Sequence, residues 1–530
     1  MPYYLSFQYS AIQKTILRHH RLWWMAGTSL TLSRLNEIDL PDIAGKNRGK
    51  VLVAGGGKFT VKFEAQQDAQ QCLEETKKLV ATTLPMLEFQ ACLGEGDNLK
   101  QAWEKGKNDS PGLREQIQSQ KAGFRGYGLT FNPHLQRCDE CGEYPAVAGK
   151  GISQGEKKPE ICSLCYEMGS ASRIDKNSLT GNMTTLEKIY SRYFEKKQEH
   201  LPAEIPANFE DLFQKSDNED KGRKRMAVWA SDINNMNDKV PVWLAQDEDK
   251  IKETFDEVKQ IFIDSTVNAL INTGFSPVSR DNGKKYLPFR IIVAGGDDLC
   301  LVMDEKYVLD FATNLSKAVN EALAGLADDH PLNISWIEAR KSDIRKRDPQ
   351  RMIKPTEPYG FGASFVVTPV HSPFSRLHAL GELLMNEAKE KTGRKANSVN
   401  WRIIGDEADV SSELLKFEKP VFIEPGSERP ADWSGLDLSD YQALCARHKL
   451  SNSQVQQLAA WLFAYSGQPD ALEKQIIKRA SSEHDKNYSC LLLEEKFREK
   501  SADNGPGKLI PARLATFLEL MSLPGSKRNE

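Results

Sequence analysis

Arg290-Ile-Ile-Val-Ala-Gly-Gly-Asp297-Asp298-Leu-Cys-Leu-Val-Met303 is the stretch that decides how the rest of this chain is read. Two short apolar runs flank Gly295, Gly296, Asp297 and Asp298, the pattern of a β-hairpin with acids at its tip. The glycines allow a sharp turn and the close approach of a bulky ligand. Adjacent carboxylates at a solvent-facing tip repel each other, and a bound divalent cation relieves that repulsion. Such acids suit Mg²⁺ that holds a nucleotide triphosphate and stabilises charge in phosphoryl transfer. Taken alone, the four residues have a competing explanation as an ordinary surface turn.

A nucleotidyl-transfer site of the palm type needs one more acid, from a strand beside the hairpin. Arg225-Met-Ala-Val-Trp-Ala-Ser-Asp232 is an apolar strand ending in such an acid, and the residues after it read as helix. Upstream, Val51-Leu-Val-Ala-Gly-Gly-Gly-Lys58-Phe-Thr-Val-Lys-Phe63 repeats the Val-Ala-Gly-Gly of the first stretch with a strand on each side. Each copy follows a strand-then-helix unit, which makes the chain an internal duplication of a palm-like βαββαβ fold. The first copy carries Gly57 and Lys58 where the second has Asp297 and Asp298, and no acid precedes Glu37. Copy one is therefore expected to be structural or nucleotide-binding, through Gly55, Gly56 and Gly57, without holding metal.

At 530 residues the chain should contain several domains. An apolar content of 39% with 27% charged residues is that of a soluble globular protein. No apolar run approaches the roughly 18 residues needed to cross a bilayer, and the N-terminus lacks a signal-peptide pattern, so the cytoplasm is expected. The net charge of −3 leaves nucleic-acid binding to local patches. One is Lys14, Arg18, His19, His20 and Arg21 on a helix read from Ile12 to Leu35, either a solvated face or a phosphate-backbone contact. The other is the basic loop at 340–354, with Arg340, Lys341, Arg345, Lys346, Arg347, Arg351 and Lys354, either solvated or in contact with RNA.

Of nine cysteines, four form the pairs Cys138-Asp-Glu-Cys141 and Cys162-Ser-Leu-Cys165. Two such pairs can close a tetrahedral thiolate site with no open position, which points to structural Zn²⁺. Cys72, Cys92, Cys300, Cys445 and Cys490 are scattered and read as core residues. Residues 97–126 read as a polar loop, 183–196 as an amphipathic helix and 199–223 as a linker. Gly362–Pro369 is a further core strand, followed by a helix from Pro373 to Lys391 with Gly393 at its C-terminal cap. Lys389 and Arg394 there are placed either to neutralise a triphosphate or to complement the helix dipole. Ser451-x-x-Gln454 is a capping box that opens a helical C-terminal region. His484-Asp485 lacks the further histidines and acids of a metal site.

With these residues in hand, the chain resembles the large, polymerase-like subunit of type III CRISPR effector complexes, most closely the Cmr-type version. The resemblance rests on Leu22-Trp-Trp-Met-Ala-Gly-Thr-Ser-Leu30, Gly55-Gly-Gly57, the cysteine pairs, Gly295–Asp298, and Pro373-Phe-Ser-Arg-Leu with the Lys389–Arg394 helix end. It implies an α+β architecture of two ferredoxin-like palm domains (the nucleotide cyclase and polymerase type), a zinc-binding insertion and a C-terminal helical domain. The expected boundaries are a degenerate palm at 1–130, a Cys₄ region at 131–198, the linker, a catalytic palm at 224–420 and a helical domain at 421–530. The resemblance implies ATP bound between the palms and joined into cyclic oligoadenylates, an antiviral signal. It implies that Asp232 and Asp297 hold Mg²⁺ or Mn²⁺, aided by Asp298 and the carbonyl of Ile233. Gly295 and Gly296 would line the nucleotide, and Lys389 and Arg394 would contact its triphosphate by similarity to GGDEF-type cyclases. Expected partners are other effector subunits with guide RNA and target RNA, and no membrane. The chain opens directly on the first palm, without the HD nuclease domain of many members, so no DNase activity is expected. A scaffold subunit that binds RNA and neighbouring proteins with an idle metal site is the alternative.

Overall fold

The structure, a computed structural model, describes most of residues 1–523. Outside the described residues lie 105–110, 124–135, 148–159, 172–178, 198–202, 214–223, 235–247, 325–359, 405–418, 424–435, 481–493, 499–508 and 524–530, with scattered single positions and pairs, Gly296 among them. The basic loop at 340–354, Cys490 and His484-Asp485 fall in these stretches.

The first half begins with β1 (Tyr3–Ser10), where period-two alternation sends Leu5, Phe7 and Tyr9 to one buried cluster and Tyr4 to another. Helices α1 (Ile12–Leu17) and α2 (Leu22–Arg34), one π-helical turn (Leu35–Asp39) and α3 (Leu40–Lys46) follow. Next come β2 (Lys50–Gly55), β3 (Lys58–Phe63), α4 (Gln66–Thr83) and β4 (Glu88–Glu95). The strands form an antiparallel sheet in the order β2-β3-β1-β4.

The single helix expected from Ile12 to Leu35 is broken in two. Arg21 is extended (φ −107°, ψ 141°), and its N–H donates to Glu140 Oε1 at 3.4 Å. Its guanidinium also faces Glu140 at 3.7 Å, so the cysteine loop ends α1 and restarts the chain as α2. Almost all of α2 is buried, because it is packed against α1, the π turn, the cysteine region and the second sheet. The polar stretch at 97–126 is also corrected: it holds α5 (Leu99–Glu104) and α6 (Leu113–Gly123). These helices bury a narrow stripe of Leu99, Ala102, Leu113 and Ile117, too sparse for composition to reveal.

Helices α7 (Ser163–Ala171) and α8 (Thr185–Lys197) carry the chain past the cysteines to a short strand, β5 (Ala203–Glu204). The second half consists of β6 (Arg225–Ile233), α9 (Glu248–Asn272), β7 (Val278–Ser279), β8 (Lys285–Tyr286), β9 (Phe289–Gly295), β10 (Asp298–Asp304) and α10 (Val308–Ala324). It continues through β11 (Phe361–Pro369), α11 (Phe374–Lys391), β12 (Ser398–Ile403) and β13 (Val421–Phe422). The large sheet runs β13-β12-β11-β6-β10-β9, while β5, β8 and β7 make a small separate sheet. The neighbour order β9-β10-β6-β11 repeats the order β2-β3-β1-β4, as the duplication predicts.

One face of the large sheet carries Trp229, Leu301 and Phe365 into a core shared with the C-terminal helices α12 (Leu438–Arg447), α13 (Asn452–Ala464), α14 (Pro469–Ala480) and α15 (Pro511–Met521). The other face carries Val228, Val302 and Val366 against α2 and α11. The capping box of α13 is formed, with Gln454 N–H donating to Ser451 Oγ at 3.3 Å and Ser451 N–H to Gln454 Oε1 at 2.9 Å. Among the described residues, no helix is long and apolar enough to cross a membrane.

Two carboxylates bind the halves together. Glu37, in the π turn, accepts from Lys259 of α9 and from the N–H and Oγ1 of Thr185, each of the last two at 3.0 Å. Glu248, at the start of α9, accepts from Tyr4 Oη, from Lys62 Nζ at 2.8 Å and from Leu99 N–H at 3.0 Å. Burial works to raise the Glu248 carboxyl, but the hydrogen bonds from Lys62 and Tyr4 hold it below the usual carboxylate value. Its contribution to stability is therefore present at neutral pH and fades as the pH falls through the folded-state value. Glu248→Ala leaves buried donors unpaired and is expected to cost about 1–3 kcal/mol at pH 7, read from urea unfolding, with a smaller cost in acid.

Candidate active site at the second hairpin

Register builds the site. On one row across the large sheet, Gly295 of β9 pairs with Asp298 of β10, Asp298 with Asp232 of β6, and Asp232 with Gly362 of β11. Asp298 and Asp232 are directly opposite on neighbouring strands, so their side chains leave the same face. Asp297 comes from the turn, where its carbonyl accepts from Ile233 N–H at 3.3 Å. Asp232, Asp297 and Asp298 each offer a carboxylate oxygen, all within 4.8 Å of one another.

Like charges this close resist joint ionisation. Burial, then the Asp232 carboxylate, push Asp297 up to about 6 from its ordinary 3.8, with Lys58 of the first hairpin opposing. Asp298 opens onto the cleft, yet the surrounding protein and then Asp297 and Asp232 raise it well above 3.8, with Lys389 opposing. An all-oxygen, acid-only donor set of this kind fits a hard divalent cation such as Mg²⁺ or Mn²⁺.

The structure brings the first hairpin to these acids. Gly55, Gly56 and Lys58 line a cavity of about 150 Å³ that reaches Asp297 and is closed by Phe255 and Lys259 of α9. Gly56 and Gly57 line a second cavity, of about 460 Å³, on the Asp298 side. Gly56 and Gly57 adopt φ values of 57° and 72°, which a residue with a side chain rarely takes. At Gly57 a Cβ would also stand 2.4 Å from Ile12 Cδ1. Gly295 lines the larger cavity, whereas Gly296 lies outside the described residues.

The two basic residues expected at a triphosphate differ in placement. Lys389 is buried and its Nζ donates to Asp232 Oδ2. Arg394 sits past the end of α11 with φ 59°, its N–H donating to Lys389 O at 2.9 Å, and the structure does not pair its side chain with the acids. Lys391, by contrast, pairs with Glu387 at 2.6 Å on the surface of the helix.

Three residues were not anticipated. Lys58 faces Asp297 across the cleft, and only its position in the repeat, opposite an acid of the other copy, could have signalled it. His378 and Glu382 of α11 line the larger cavity near Asp298, with Glu382 accepting from Gln13 of α1. Burial lowers His378 and Glu382 opposes, so a neutral imidazole faces the cavity at pH 7. Their i, i+4 spacing resembles any helix surface pair and carried no signal on its own.

The four paired cysteines also converge, with their sulfurs within 4.8 Å of one another. Cys165 N–H donates to Cys162 Sγ at 3.4 Å, and Gly142 N–H to Cys138 O at 2.9 Å, a turn geometry that presents thiolates inward. Such a set can hold Zn²⁺. Trp24 of α2 donates its indole N–H to Cys165 O, tying the cysteine cluster to the central helix. Cys72, Cys92, Cys300 and Cys445 are buried free thiols, as expected of core residues.

No family model and no curated protein matches this chain. Solved structures do. The chain superposes on a Csm1-Csm4 cassette in complex with cA4 at a TM-score of 0.51 and 12% identity, covering 98% of this chain and 69% of that one. Csm1 in T.onnurineus gives a TM-score of 0.51 at 13% identity, covering 99% and 70%. The Csm1-Csm4 subcomplex in the type III-A CRISPR-Csm interference complex gives 0.50 at 13%, covering 98% and 69%. The neighbours are Csm1 subunits of type III CRISPR complexes, and the likeness is one of fold.

The raised folded-state value of Asp297 sets a pH dependence. Its protonated form stabilises the fold in acid, and that contribution is lost as the pH rises from 3.8 through about 6. In chelator, Asp297→Asn is expected to gain on the order of 1–3 kcal/mol over the wild type between pH 5 and pH 7, measured by urea midpoints. Equal pH dependence in both proteins would contradict the repulsion.

Proposed function

We propose that this chain is a metal-dependent nucleotidyltransferase that joins ATP into cyclic oligoadenylates as part of a type III CRISPR effector complex. The observation that carries the reading is the convergence of Asp232, Asp297 and Asp298 at a cleft walled on its far side by a second, acid-free glycine hairpin. Csm1-Csm4 cassettes of similar fold hold cA4, one ATP or pppApA, which supports the choice of adenine nucleotides. The Csm4 partner in those structures supports assembly with other effector subunits, and guide RNA and target RNA are the further partners that the sequence resemblance implies.

In this reading the halves are two palm domains, 1–130 and 224–420, flanking the Cys₄ region at 131–198 and the linker at 199–223, with the helical domain at 421–530. Asp232, Asp297 and Asp298 would hold Mg²⁺ or Mn²⁺, which when bound lowers the pKa of an attacking hydroxyl and stabilises charge on a leaving pyrophosphate. The raised Asp297 and Asp298 favour cation capture, since ionising them together is costly without it. Lys58 adds fixed positive charge from the opposite wall, suited to the phosphates of a nucleotide lying against Gly55 and Gly56.

Given ATP and Mg²⁺ or Mn²⁺, the protein with its effector subunits and target RNA is expected to yield a cyclic adenylate by mass spectrometry. Asp297→Ala/Asp298→Ala should yield none. No product from the complete complex would overturn the enzyme reading in favour of a scaffold. For the Cys₄ site, metal analysis is expected to find one zinc per chain, and Cys162→Ser should lose it and lower the Tm, because Trp24 and Arg21 both rest on that loop. Full stability without zinc would remove it from the fold.

A further inference from the structure

Gly362 occupies a position where a side chain has no room. A Cβ built there would stand 2.2 Å from Lys389 Cγ, 2.7 Å from Cε and 3.0 Å from Cδ. The whole aliphatic stem of Lys389 therefore lies across the row position of Gly362, next to Asp232 in register. Lys389 comes down from α11, runs over this gap in the sheet and ends with Nζ on Asp232 Oδ2. Its side chain is 3% exposed, and Asp232 is the partner it reaches.

We propose that Gly362 and Lys389 are positioning residues for the metal-binding carboxylate. The missing side chain of Gly362 is the slot that holds Lys389, and Lys389 in turn fixes one oxygen of Asp232 so that the other faces Asp297 and Asp298. A stem clamped along the sheet makes Lys389 a fixed donor to Asp232. Ligand carboxylates held by such outer hydrogen bonds bind metal more tightly, and losing the outer partner typically costs about 10–100-fold in affinity. The inference rests on the metal reading of the three acids.

The test is Mn²⁺ affinity of the zinc-loaded full chain, followed by electron paramagnetic resonance of free Mn²⁺, with no turnover required. Loss of binding in Asp297→Ala/Asp298→Ala first establishes the metal reading. A wild type without acid-dependent Mn²⁺ binding would overturn that reading and this one together. Given binding, Lys389→Ala is expected to lower the affinity about tenfold or more. The sign is diagnostic, because removing a positive charge beside three carboxylates would by itself raise cation affinity. Gly362→Ala should lower it likewise, and Gly362→Ala/Lys389→Ala should bind as Lys389→Ala does, since the added methyl then displaces nothing. Unchanged or higher affinity in Lys389→Ala would overturn the proposal while leaving the metal site standing. So would a Gly362→Ala penalty that persists in the double variant. If Gly362→Ala does not fold, the sign for Lys389→Ala decides.

Discussion

The pairing of β6 with β10 is the constraint on which the site depends. Side chains alternate faces along a strand, so a slip of one residue would move Asp232 to the opposite face from Asp298. That register is held by the apolar content of the same strands. Val228 opposite Val302 and Trp229 opposite Leu301 fill different cores, one on each face of the sheet. A slip would expose both sets at once. The hydrophobic effect thus holds in place a carboxylate pair that repels itself, and the two strand ends meet only because the rest of each strand is buried.

The second half does not stand alone. Its acids open toward the hairpin of the first half, and the helices that set this approach are tied by buried or half-buried carboxylates. Glu37 joins the π turn to α8 and α9, while Glu248 joins α9 to β1, β3 and α5. Each accepts three hydrogen bonds, which is what lets a carboxylate sit between packed elements without the cost of an unpaired charge. A π turn widens a helix by one residue per turn and tends to occur where geometry serves a site. Here it places Asn36 at the larger cavity and Glu37 against Lys259.

Much of this was legible because short-range chemistry and the sheet agree. Apolar runs with a period of two, broken by glycines, mark both hairpins, and their repetition marks the shared strand order. The paired cysteines announce themselves by spacing. What escaped were features decided by distant partners. Arg21 looks like one more basic residue on a helix until Glu140, some 120 positions on, draws it into an extended conformation. Lys389 and Lys391 are two residues apart on one helix end and equally basic. One meets Glu387 on the surface and the other Asp232 in the interior. Two positions along a helix turn the side chain to the opposite side, and on the inner side the bare Gly362 leaves room for the Lys389 stem.

The two hairpins show how a duplicated unit divides its labour by charge. With acids in both copies, five or six carboxylates would face one cleft, and each added charge would raise the values of the others further. Glycine and Lys58 in the first copy avoid that repulsion and place a cation opposite Asp297, where it works against the effect of burial. Asp232, meanwhile, has Lys389 at its Oδ2. The acid cluster is therefore flanked by cations, one from each half, that temper its repulsion. Moving either lysine onto the hairpin that carries the acids would compete for the space between the carboxylates. Supplied from β3 on the far wall and from α11, the same charges come from outside that hairpin.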